Sequence, residues 1–307
     1  MKIVRSPQEL HTPEGKVCLA IGFFDGVHLG HQQIIRQTVT DARRHEALAA
    51  VLTFDCHPNT IVAPARVPPL IYSMAQRVRV IGSLGPDALV ALHFDKSFSE
   101  KPGEVFIREL ARSLGHLQSL CVGANFVFGH KRSGNVALLK ELGRELKFAV
   151  HGLAAVALDG QAVSSTRIRH AILAGDLDAA SQMLGRAYSL AGTVVRGDAV
   201  GGQLGFPTAN LDVAGLALPP AGVYAVHIAA KTRTFRGVMN IGFRPTLRHS
   251  EPQLRVEAHL IDFHGDLYGE ELEVTFVEKL RDERKFNSLA ELRDQIARDI
   301  LEAQMRF

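Results

Sequence analysis

The sequence is poor in features that define several large classes of protein. Its three cysteines, Cys18, Cys56 and Cys121, are an odd number without C-x-x-C spacing, and they lie in apolar or strand-like surroundings where a thiol behaves as a small hydrophobe. The first ten residues carry charge and Pro7 where a signal peptide needs an apolar core, and no apolar run approaches the roughly 20 residues of a membrane span. We therefore expect a soluble, cytoplasmic protein with no membrane association.

Charge of one sign is also scarce. The formal net charge is only +3 over 307 residues, and lysine and arginine are interspersed with aspartate and glutamate instead of forming a basic stripe. Nucleic acid is therefore not expected as the main partner. Hydrophobic residues, by contrast, make up 46% of the chain, which is enough to bury two cores. The length also suits two domains of ordinary size.

The first part of the chain alternates between short apolar runs and amphipathic stretches. This alternation indicates a parallel sheet with helices on its faces. The predicted strands are Leu48–Phe54, Ala88–Phe94 and Ser119–Val122, and the predicted helices are Gln76–Leu84, Pro102–Leu114 and Ile168–Leu184. We place the domain boundary after the last of these helices, near Gly185, so that the domains are 1–185 and 186–307.

Beyond Tyr188 the pattern changes to strands separated by Gly, Pro and Asp turns. The predicted strands lie around Val194 and over residues 223–229, 236–241, 254–261 and 272–277. A single helix is predicted to start at Ser288 and to end the chain. Together these segments indicate an antiparallel barrel or sandwich followed by a C-terminal helix.

A glycine-containing loop near the N-terminus has the parts of a phosphate cradle. The loop Gly22–Val27 follows the apolar run Val17–Ile21, and His28-Leu29-Gly30-His31 opens an amphipathic stretch. Free N–H groups at a helix start and the helix dipole both attract an anion, and two imidazoles three positions apart can face one ligand. A chance pair of surface histidines and a zinc pair are the alternatives, although cysteine or carboxylate ligands at a suitable spacing are missing.

A second polar segment, Ser164–Arg169, supports the phosphate interpretation. It places three hydroxyl residues at the start of a helix and then two arginines. Hydroxyls cap a helix and bind phosphate oxygens, while a guanidinium offers a planar fork to the same anion. An ordinary helix cap with solvated arginines is the alternative. The occurrence of Ser164–Arg169 together with the H-x-G-H motif in an alternating α/β half of the chain favours a nucleotide site.

The C-terminal half has its own glycine-rich segment, Gly197–Gln203, which leads into Leu204–Asn210. Glycines permit a flap whose backbone wraps phosphates. Thr208 and Asn210 offer oxygens at alternating positions that can share one Mg²⁺ and one nucleotide. A simple glycine turn followed by proline is the alternative.

These segments together resemble the bacterial bifunctional riboflavin kinase/FAD synthetase family, over nearly the whole chain. The resemblance rests on Gly22–His31, Thr53–Pro58, Val122–Gly129 and Ser164–Arg169 in the first half, and on Pro219–Tyr224, Gly237–Thr246, Val256–Leu260, Asp266–Gly269 and Leu280–Phe286 in the second. Cys56 stands where the family would have proline, Asn125 where aspartate is also common, and Gly202 where many members carry arginine. The resemblance implies a Rossmann-like nucleotidyltransferase domain followed by a six-stranded antiparallel Greek-key barrel with a C-terminal helix.

For the first domain the resemblance implies transfer of AMP from ATP to FMN, with His28 and His31 gripping the ATP phosphates and Arg167 on the pyrophosphate side. The implied ATP-binding residues are Gly22, Phe23, Asp25, Gly26, His28, Gly30, His31, Ser164, Ser165, Thr166 and Arg167, and the implied flavin-binding residues are Phe54, His57, Asn125, Phe126 and Phe128. The FMN phosphate is already an anion. Such a reaction needs charge stabilisation and in-line geometry but no general base.

For the second domain the resemblance implies phosphorylation of riboflavin by ATP, with Glu257 as the general base, because a neutral hydroxyl is a poor nucleophile. The implied ATP-binding residues are Gly197, Gly201, Gly205, Pro207, Thr208 and Asn210, the flavin-binding residues are Glu257, Leu280, Arg281 and Phe286, and the Mg²⁺ ligands are Thr208 and Asn210. By itself, Glu257 between apolar neighbours reads as a solvated carboxylate on an alternating strand.

Two other functions compete with this one. The first is a nucleotidyltransferase with another acceptor and a binding appendage, which would need no base such as Glu257. The second is a flavin sensor, which should lack either the H-x-G-H histidines or the base. The expected partners are small molecules, namely riboflavin, FMN and ATP, and the sequence leaves weak self-association open.

Overall fold

A computed structural model describes residues 1–10, 15–197, 200–244 and 253–307. The chain divides into two compact units, one formed by Met1–Pro69 with Met74–Ser165 and the other by Leu70–Ser73 with Thr166–Phe307. Two helices that precede Gly185 group with the second unit. The position of the domain boundary stays a prediction.

The first unit is built on a six-stranded sheet whose paired strands are all parallel. Its strands are β1 (Lys2–Val4), β2 (Lys16–Ile21), β3 (Leu48–Phe54), β4 (Ala88–Leu92), β5 (His116–Gly123) and β6 (Ala149–Leu153), in the order β1-β4-β3-β2-β5-β6. The central strands β2, β3 and β4 are almost wholly apolar and buried, as expected when both faces of a parallel sheet are covered. The predicted strand Leu48–Phe54 is confirmed, and the others differ only at their ends.

The unit also contains several helices. They are α1 (Leu29–His45), α2 (Asn59–Val62), α3 (Met74–Gly82), α4 (Lys96–Ser99), α5 (Gly103–Leu114) and α6 (Val136–Leu146), and short ribbons pair Val127–Phe128 with Gly134–Asn135 and Ala157–Leu158 with Gln161–Ala162. Helix α1 packs on β2, β3 and β5 and buries Ile34, Ile35 and Ala42. Its last turn carries two arginines and a histidine, which suits the negative end of the helix dipole.

The predicted single helix Ile168–Leu184 is wrong, because two helices occupy that stretch. Helix α7 spans Ser165–Ala174 and α8 spans Leu177–Leu184. Gly175 between them has φ +81°, a left-handed conformation that ends a helix. The Asp176 carboxylate then caps α8 by accepting the Ala179 N–H at 3.0 Å.

The second unit contains a closed antiparallel barrel, which decides between the predicted barrel and sandwich. Its strands are β7 (Ser189–Val195), β8 (Ala209–Asp212), β9 (Gly222–Ala230), β10 (Arg233–Arg244), β11 (Gln253–Leu260) and β12 (Glu271–Arg281), in the order β7-β8-β11-β10-β9-β12. Strands β9, β10 and β11 are hydrogen-bonded in sequence and β12 returns to lie beside β9, which is the Greek-key arrangement. Leu190, Val226, Met239 and Leu272 are among its buried core residues.

Two further helices belong to this unit, α9 (Val200–Gln203) and α10 (Leu289–Gln304). The predicted start of the terminal helix at Ser288 is confirmed as its cap, since the Ser288 hydroxyl accepts the Glu291 N–H at 3.2 Å. Helix α10 packs on β9, β10 and β12. Within the described part of the chain, no helix combines the length and apolar character needed to cross a lipid bilayer.

Candidate active sites

The first site is the loop that joins β2 to α1. Phe24 and Val27 have left-handed backbone angles, with φ 54° and 41°, and Gly26 has φ 74°. A β-branched residue rarely adopts such a φ, so the backbone at Val27 is strained. The Val27 side chain is fully buried, which helps to hold it in place. Strain of this kind is concentrated at binding sites.

The predicted histidine pair lies at the N-terminus of α1. His28 caps the helix, and its Nδ1 accepts the His31 N–H at 3.4 Å. The two rings are stacked, with centroids 3.6 Å apart and planes inclined by 21°. A Cβ at Gly30 would lie 3.3 Å from the His28 ring, so this position is tight for any larger residue. The imidazoles therefore form one unit at the positive end of the α1 dipole.

A cleft of about 260 Å³ opens beside the histidines. Its lining includes the glycines Gly22 and Gly30 and the polar or aromatic residues Phe23, Phe24, His28, His31, Asn125 and Phe126, and the remaining residues are small or apolar. The structure thus brings the predicted ATP loop and two predicted flavin-binding residues to one cleft. Among the described residues that line it there is no aspartate or glutamate. Such a lining suits an anionic ligand and offers no carboxylate base.

The other predicted ATP-binding residues of this site lie in the loop itself and around the start of α7. Asp25 and Gly26 are buried, and the Asp25 carbonyl accepts the Ser165 hydroxyl at 3.0 Å. Ser164 directly precedes α7. Ser165, Thr166 and Arg167 form the first turn of that helix. Ser165 is therefore hydrogen-bonded to the loop.

The predicted flavin-binding aromatics do not all reach the cleft. Phe126 lines it and stacks on Phe128 with centroids 5.2 Å apart. The Phe128 ring packs edge-to-face on Phe106. The Phe106 ring packs in the same way on Phe98, and Phe98 on Phe54. His57 contacts the Phe23 ring at 4.9 Å, and its Nδ1 accepts the Asn59 N–H at 3.0 Å. Phe54 and Phe128 are thus part of an aromatic cluster behind Phe126.

Sequence reasoning missed Arg77 on α3, which is only 2% exposed. Its guanidinium donates to the carbonyls of Phe23 and Phe54, both at 2.7 Å, and lies 4.4 Å from the centroid of the Phe23 ring. Burial lowers the pKa of Arg77 to about 10, and the carboxylates of Asp25 and Asp55 oppose that shift. No signal marked this residue, because α3 reads as an ordinary amphipathic helix.

The second site lies on the outer face of the barrel. Val256 and Ala258 are buried in the barrel core, so Glu257 between them points outward. The strand register pairs Glu257 with Asn210 on β8 and with Asn240 on β10. Three polar residues thus form a row across adjacent strands. Asn240 was not predicted as a site residue, because strand register cannot be read from one sequence.

A cavity of about 310 Å³ covers part of this row. The predicted site residues in its lining are Gly201, Thr208, Glu257, Arg281 and Phe286. Asn240, Arg255, His259, Glu283, Arg284 and Asp299 add polar groups, and Leu292, Ile296 and Ile300 of α10 add an apolar wall. The Arg255 Nη1 lies 4.0 Å from the Glu257 carboxylate. The cavity therefore places a carboxylate and several cations next to an apolar surface.

The glycine-rich segment of this site approaches Asn210 closely. A Cβ at Gly197 would collide with the Asn210 amide, and a Cβ at Gly201 would lie 2.5 Å from the Phe206 carbonyl. Gly205 has φ +89°, which a side chain would strain. Asp198 and Ala199 of this segment, and Pro245 and Thr246 of the family motif Gly237–Thr246, lie outside the described residues.

Pro207, another predicted residue, acts through its backbone. Its carbonyl lies 2.8 Å from Nδ1 of His259, whose ring also contacts the Phe206 ring edge-on at 6.0 Å. His259 lies on β11 two residues beyond Glu257. The strand that carries Glu257 is therefore linked to the segment that carries Thr208.

Arg281 is held by α10. Its Nε and Nη2 donate to the two carboxylate oxygens of Asp299, at 2.9 and 2.7 Å. Asp299 is 3% exposed and also accepts from the Gln295 amide at 2.7 Å. The Arg281 guanidinium lies 5.8 Å from the Phe286 ring, so the pair that was predicted to bind flavin is assembled. Leu280 instead packs in the small core beneath α10.

Two family models match the chain. Residues 11–167 match the FAD synthetase model, and residues 184–307 match the riboflavin kinase model. The first range contains the histidine cleft, and the second contains the cavity on the barrel.

Curated proteins with both activities in their names match over the whole length. A Haemophilus influenzae bifunctional riboflavin kinase/FMN adenylyltransferase is 35% identical over 100% of this chain and 99% of its own. Proteins of the same name from Escherichia coli K12 and Pseudomonas fluorescens are 34% and 37% identical, over 100% and 99% of this chain and 98% and 97% of theirs. A solved Streptococcus pneumoniae structure, described as a macrolide-efflux protein, is 28% identical with a TM-score of 0.82 and 98% coverage of both chains.

Proposed function

The chain belongs to the bacterial bifunctional riboflavin kinase/FMN adenylyltransferase family, and from that membership we infer that it phosphorylates riboflavin to FMN and adenylylates FMN to FAD. ATP is the donor in both reactions, and both activities are those of a transferase. Each reaction belongs to one of the two sites. The distribution of carboxylates between the sites carries that assignment.

We assign adenylylation of FMN to the cleft beside His28 and His31. The FMN phosphate attacks the α-phosphorus of ATP and pyrophosphate leaves, so the protein must stabilise negative charge and align the reactants. The stacked imidazoles and the N-terminus of α1 supply hydrogen-bond donors for this purpose, and the family resemblance adds the charge of Arg167. Asn125 and Phe126 would contact the flavin from the other side of the cleft. A cleft without a carboxylate lining fits a nucleophile that is already ionised.

We assign phosphorylation of riboflavin to the cavity on the barrel. Glu257 accepts the proton of the ribityl hydroxyl as that oxygen attacks the γ-phosphorus of ATP, and ADP leaves. Its side chain is 31% exposed, so it remains accessible to a substrate hydroxyl. Thr208 and the glycine segment would hold ATP, while Phe286 and the apolar face of α10 would hold the flavin ring.

Mg²⁺ fits this second site as a companion of ATP. Thr208 and Asn210 offer neutral oxygens at alternating positions, and hard cations prefer oxygen ligands. The described residues contain no cluster of three or more histidine, cysteine or acidic side chains that could hold a metal alone. A magnesium ion there would therefore take further ligands from phosphates and water, and would neutralise the charge of the transferred phosphoryl group.

One assay separates this function from its competitors. Purified protein is incubated with riboflavin and Mg-ATP, and separately with FMN and Mg-ATP, and the products are resolved by chromatography. We expect FMN and FAD from the first mixture and FAD from the second. FAD from FMN alone would indicate a single transferase with a binding appendage, and no product would indicate a flavin sensor.

A further inference from the structure

Arg77 is a buried cation that is not among the residues assigned above to either reaction. Its side chain joins two segments that leave the sheet side by side, because it donates both to Phe23 after β2 and to Phe54 at the end of β3. Burying an arginine is unfavourable unless its donors are satisfied. Two 2.7 Å bonds to backbone carbonyls, with the guanidinium over the Phe23 ring, meet that condition at Nη1 and Nη2, whereas the buried Nε has no hydrogen-bond partner among the described residues.

The contact fixes one particular peptide. The Phe23 carbonyl accepts both from Arg77 and from the buried Thr53 hydroxyl, the latter at 2.9 Å. In a trans peptide the following N–H points opposite to the carbonyl. The N–H of Phe24 is therefore directed away from Arg77 and Thr53. If this peptide rotated, a carbonyl oxygen would take the place of that N–H and would repel an anion.

The same peptide begins the strained part of the loop. Phe24 has φ 54° and is followed by Gly26 and Val27, which also have positive φ. A strained backbone persists only where its surroundings hold it. Phe23 and Phe24 line the cleft beside His28 and His31, so a relaxed loop would alter the cleft itself.

We propose that Arg77 is a positioning residue for FMN adenylylation, which orients the Phe23–Phe24 peptide so that its N–H, and not its carbonyl, faces the phosphates of ATP. This inference rests on the proposed function of the first site. The planar fork of arginine is what allows one side chain to hold two carbonyls at once. A lysine, whose ammonium is a single compact donor group, can keep the charge but not this geometry.

The test compares Arg77→Met and Arg77→Lys with Arg79→Met in the full-length protein. Arg79 is an exposed arginine on the same helix and serves as the matched control. The measurements are kcat and the KM for ATP in FMN adenylylation, inhibition of that reaction by pyrophosphate and by adenosine, and the rate of riboflavin phosphorylation. The thermal unfolding of each variant reports whether the first unit is folded.

We expect kcat for adenylylation to fall on the order of 10²-fold in Arg77→Met, because a small misplacement of positioning groups costs about that much, and by less in Arg77→Lys. The KM for ATP should rise, and inhibition by pyrophosphate should weaken in parallel. Inhibition by adenosine, which has no phosphate, should stay within about twofold, as should riboflavin phosphorylation and all properties of Arg79→Met.

Three results would overturn the proposal. The first is a folded Arg77→Met with adenylylation constants within about threefold of the parent. The second is activity that falls only in proportion to the folded fraction, with unchanged KM and pyrophosphate inhibition, since that indicates a purely structural role. If Arg77→Met does not fold, parental constants in Arg77→Lys are the third. All three results presuppose a parent protein that makes FAD from FMN. A parent protein without that activity would instead overturn the proposed function, so the two failures can be told apart.

Discussion

The two sites differ most in their carboxylates. Among the described residues, none that lines the cleft of the first unit is acidic, whereas Glu257, Glu283 and Asp299 line the cavity of the second. The nucleophiles assigned to them differ in the same way, because the FMN phosphate arrives charged and the ribityl hydroxyl must lose a proton. A charged nucleophile needs only donors and alignment, while an alcohol also needs a base. On the proposed assignment, the charge of the nucleophile accounts for the difference in carboxylates between the two sites.

The sites also differ in construction. The first is centred on one continuous segment, Gly22–His31, at the end of a strand and the start of a helix. The second collects single residues from separate strands, with Asn210, Asn240 and Glu257 joined only by register. Local backbone strain therefore matters most in the first site, and strand pairing in the second.

Glu257→Gln should change the ratio of the two reaction rates most, because it removes the base but keeps the side chain's size. General-base catalysis contributes about 10²- to 10⁴-fold, so riboflavin phosphorylation should fall by that order while adenylylation of supplied FMN persists. Initial rates of both reactions are measured on the same preparation. Glu278→Gln, an exposed position on β12, is the control. Phosphorylation within about threefold of the parent would remove Glu257 from the mechanism.

His28→Ala combined with His31→Ala should have the opposite effect, with adenylylation lost and phosphorylation kept. Loss of a preorganised charge-stabilising donor costs on the order of 10²- to 10³-fold, so FAD formation should nearly stop while FMN accumulates. His116→Ala, at an exposed histidine of the same unit, provides the control and should change neither rate. A folded double variant that lost both activities would refute the separation of the sites.

Gly197→Ala should have a smaller effect, confined to the second site. The new Cβ would collide with the Asn210 amide, whereas a Cβ at Gly202 would meet nothing within 4 Å. Overpacking costs about 1–3 kcal/mol, and we expect a roughly tenfold higher KM for ATP in phosphorylation. Gly202→Ala should leave the KM for ATP nearly unchanged. Equal behaviour of the two variants would argue against the contact between Gly197 and Asn210.

Separating the two units should cost the least activity. We expect fragments 166–307 and 186–307 both to phosphorylate riboflavin, with the longer fragment more stable because α8 buries Met183 and Leu184 and Ser181 accepts the Tyr188 N–H at 3.0 Å. Each kcal/mol corresponds to about 4 °C in a domain of this size, so Tm should differ by several degrees. A folded 186–307 fragment without kinase activity would contradict independent sites.

The sequence was informative wherever function and fold are local. The loop Gly22–Val27, the capping histidine His28 and the cap at Ser288 follow from short-range patterns that backbone chemistry requires. The closed barrel, by contrast, needed a family resemblance, because periodicity predicts strands but not which strands pair. The break at Gly175 was missed although glycine followed by aspartate is a stop signal and then a cap.

The residues that were missed share one property: they act across long sequence separations. Asn240 joins Glu257 only through register, Arg77 reaches Phe23 across 54 positions, and Asp299 holds Arg281 from the last helix. Nothing in the local sequence marks Arg77 or Asp299, and the motif Gly237–Thr246, which contains Asn240, does not show which residues that strand pairs with. The predicted aromatics Phe54 and Phe128 illustrate the reverse case, since a motif named them but the fold places them behind Phe126.

Complementation between two disabled variants tests the central claim of two independent sites most directly. The His28→Ala, His31→Ala variant and the Glu257→Gln variant are mixed in equal amounts with riboflavin and Mg-ATP, and FAD is followed over time. Alone, each should form FAD at about a hundredth of the parental rate or less. Together they should form FAD at close to the parental rate, because FMN released by the first is adenylylated by the second. A mixture of folded variants that forms no more FAD than either alone would show that both groups must act within one chain, and would contradict the account.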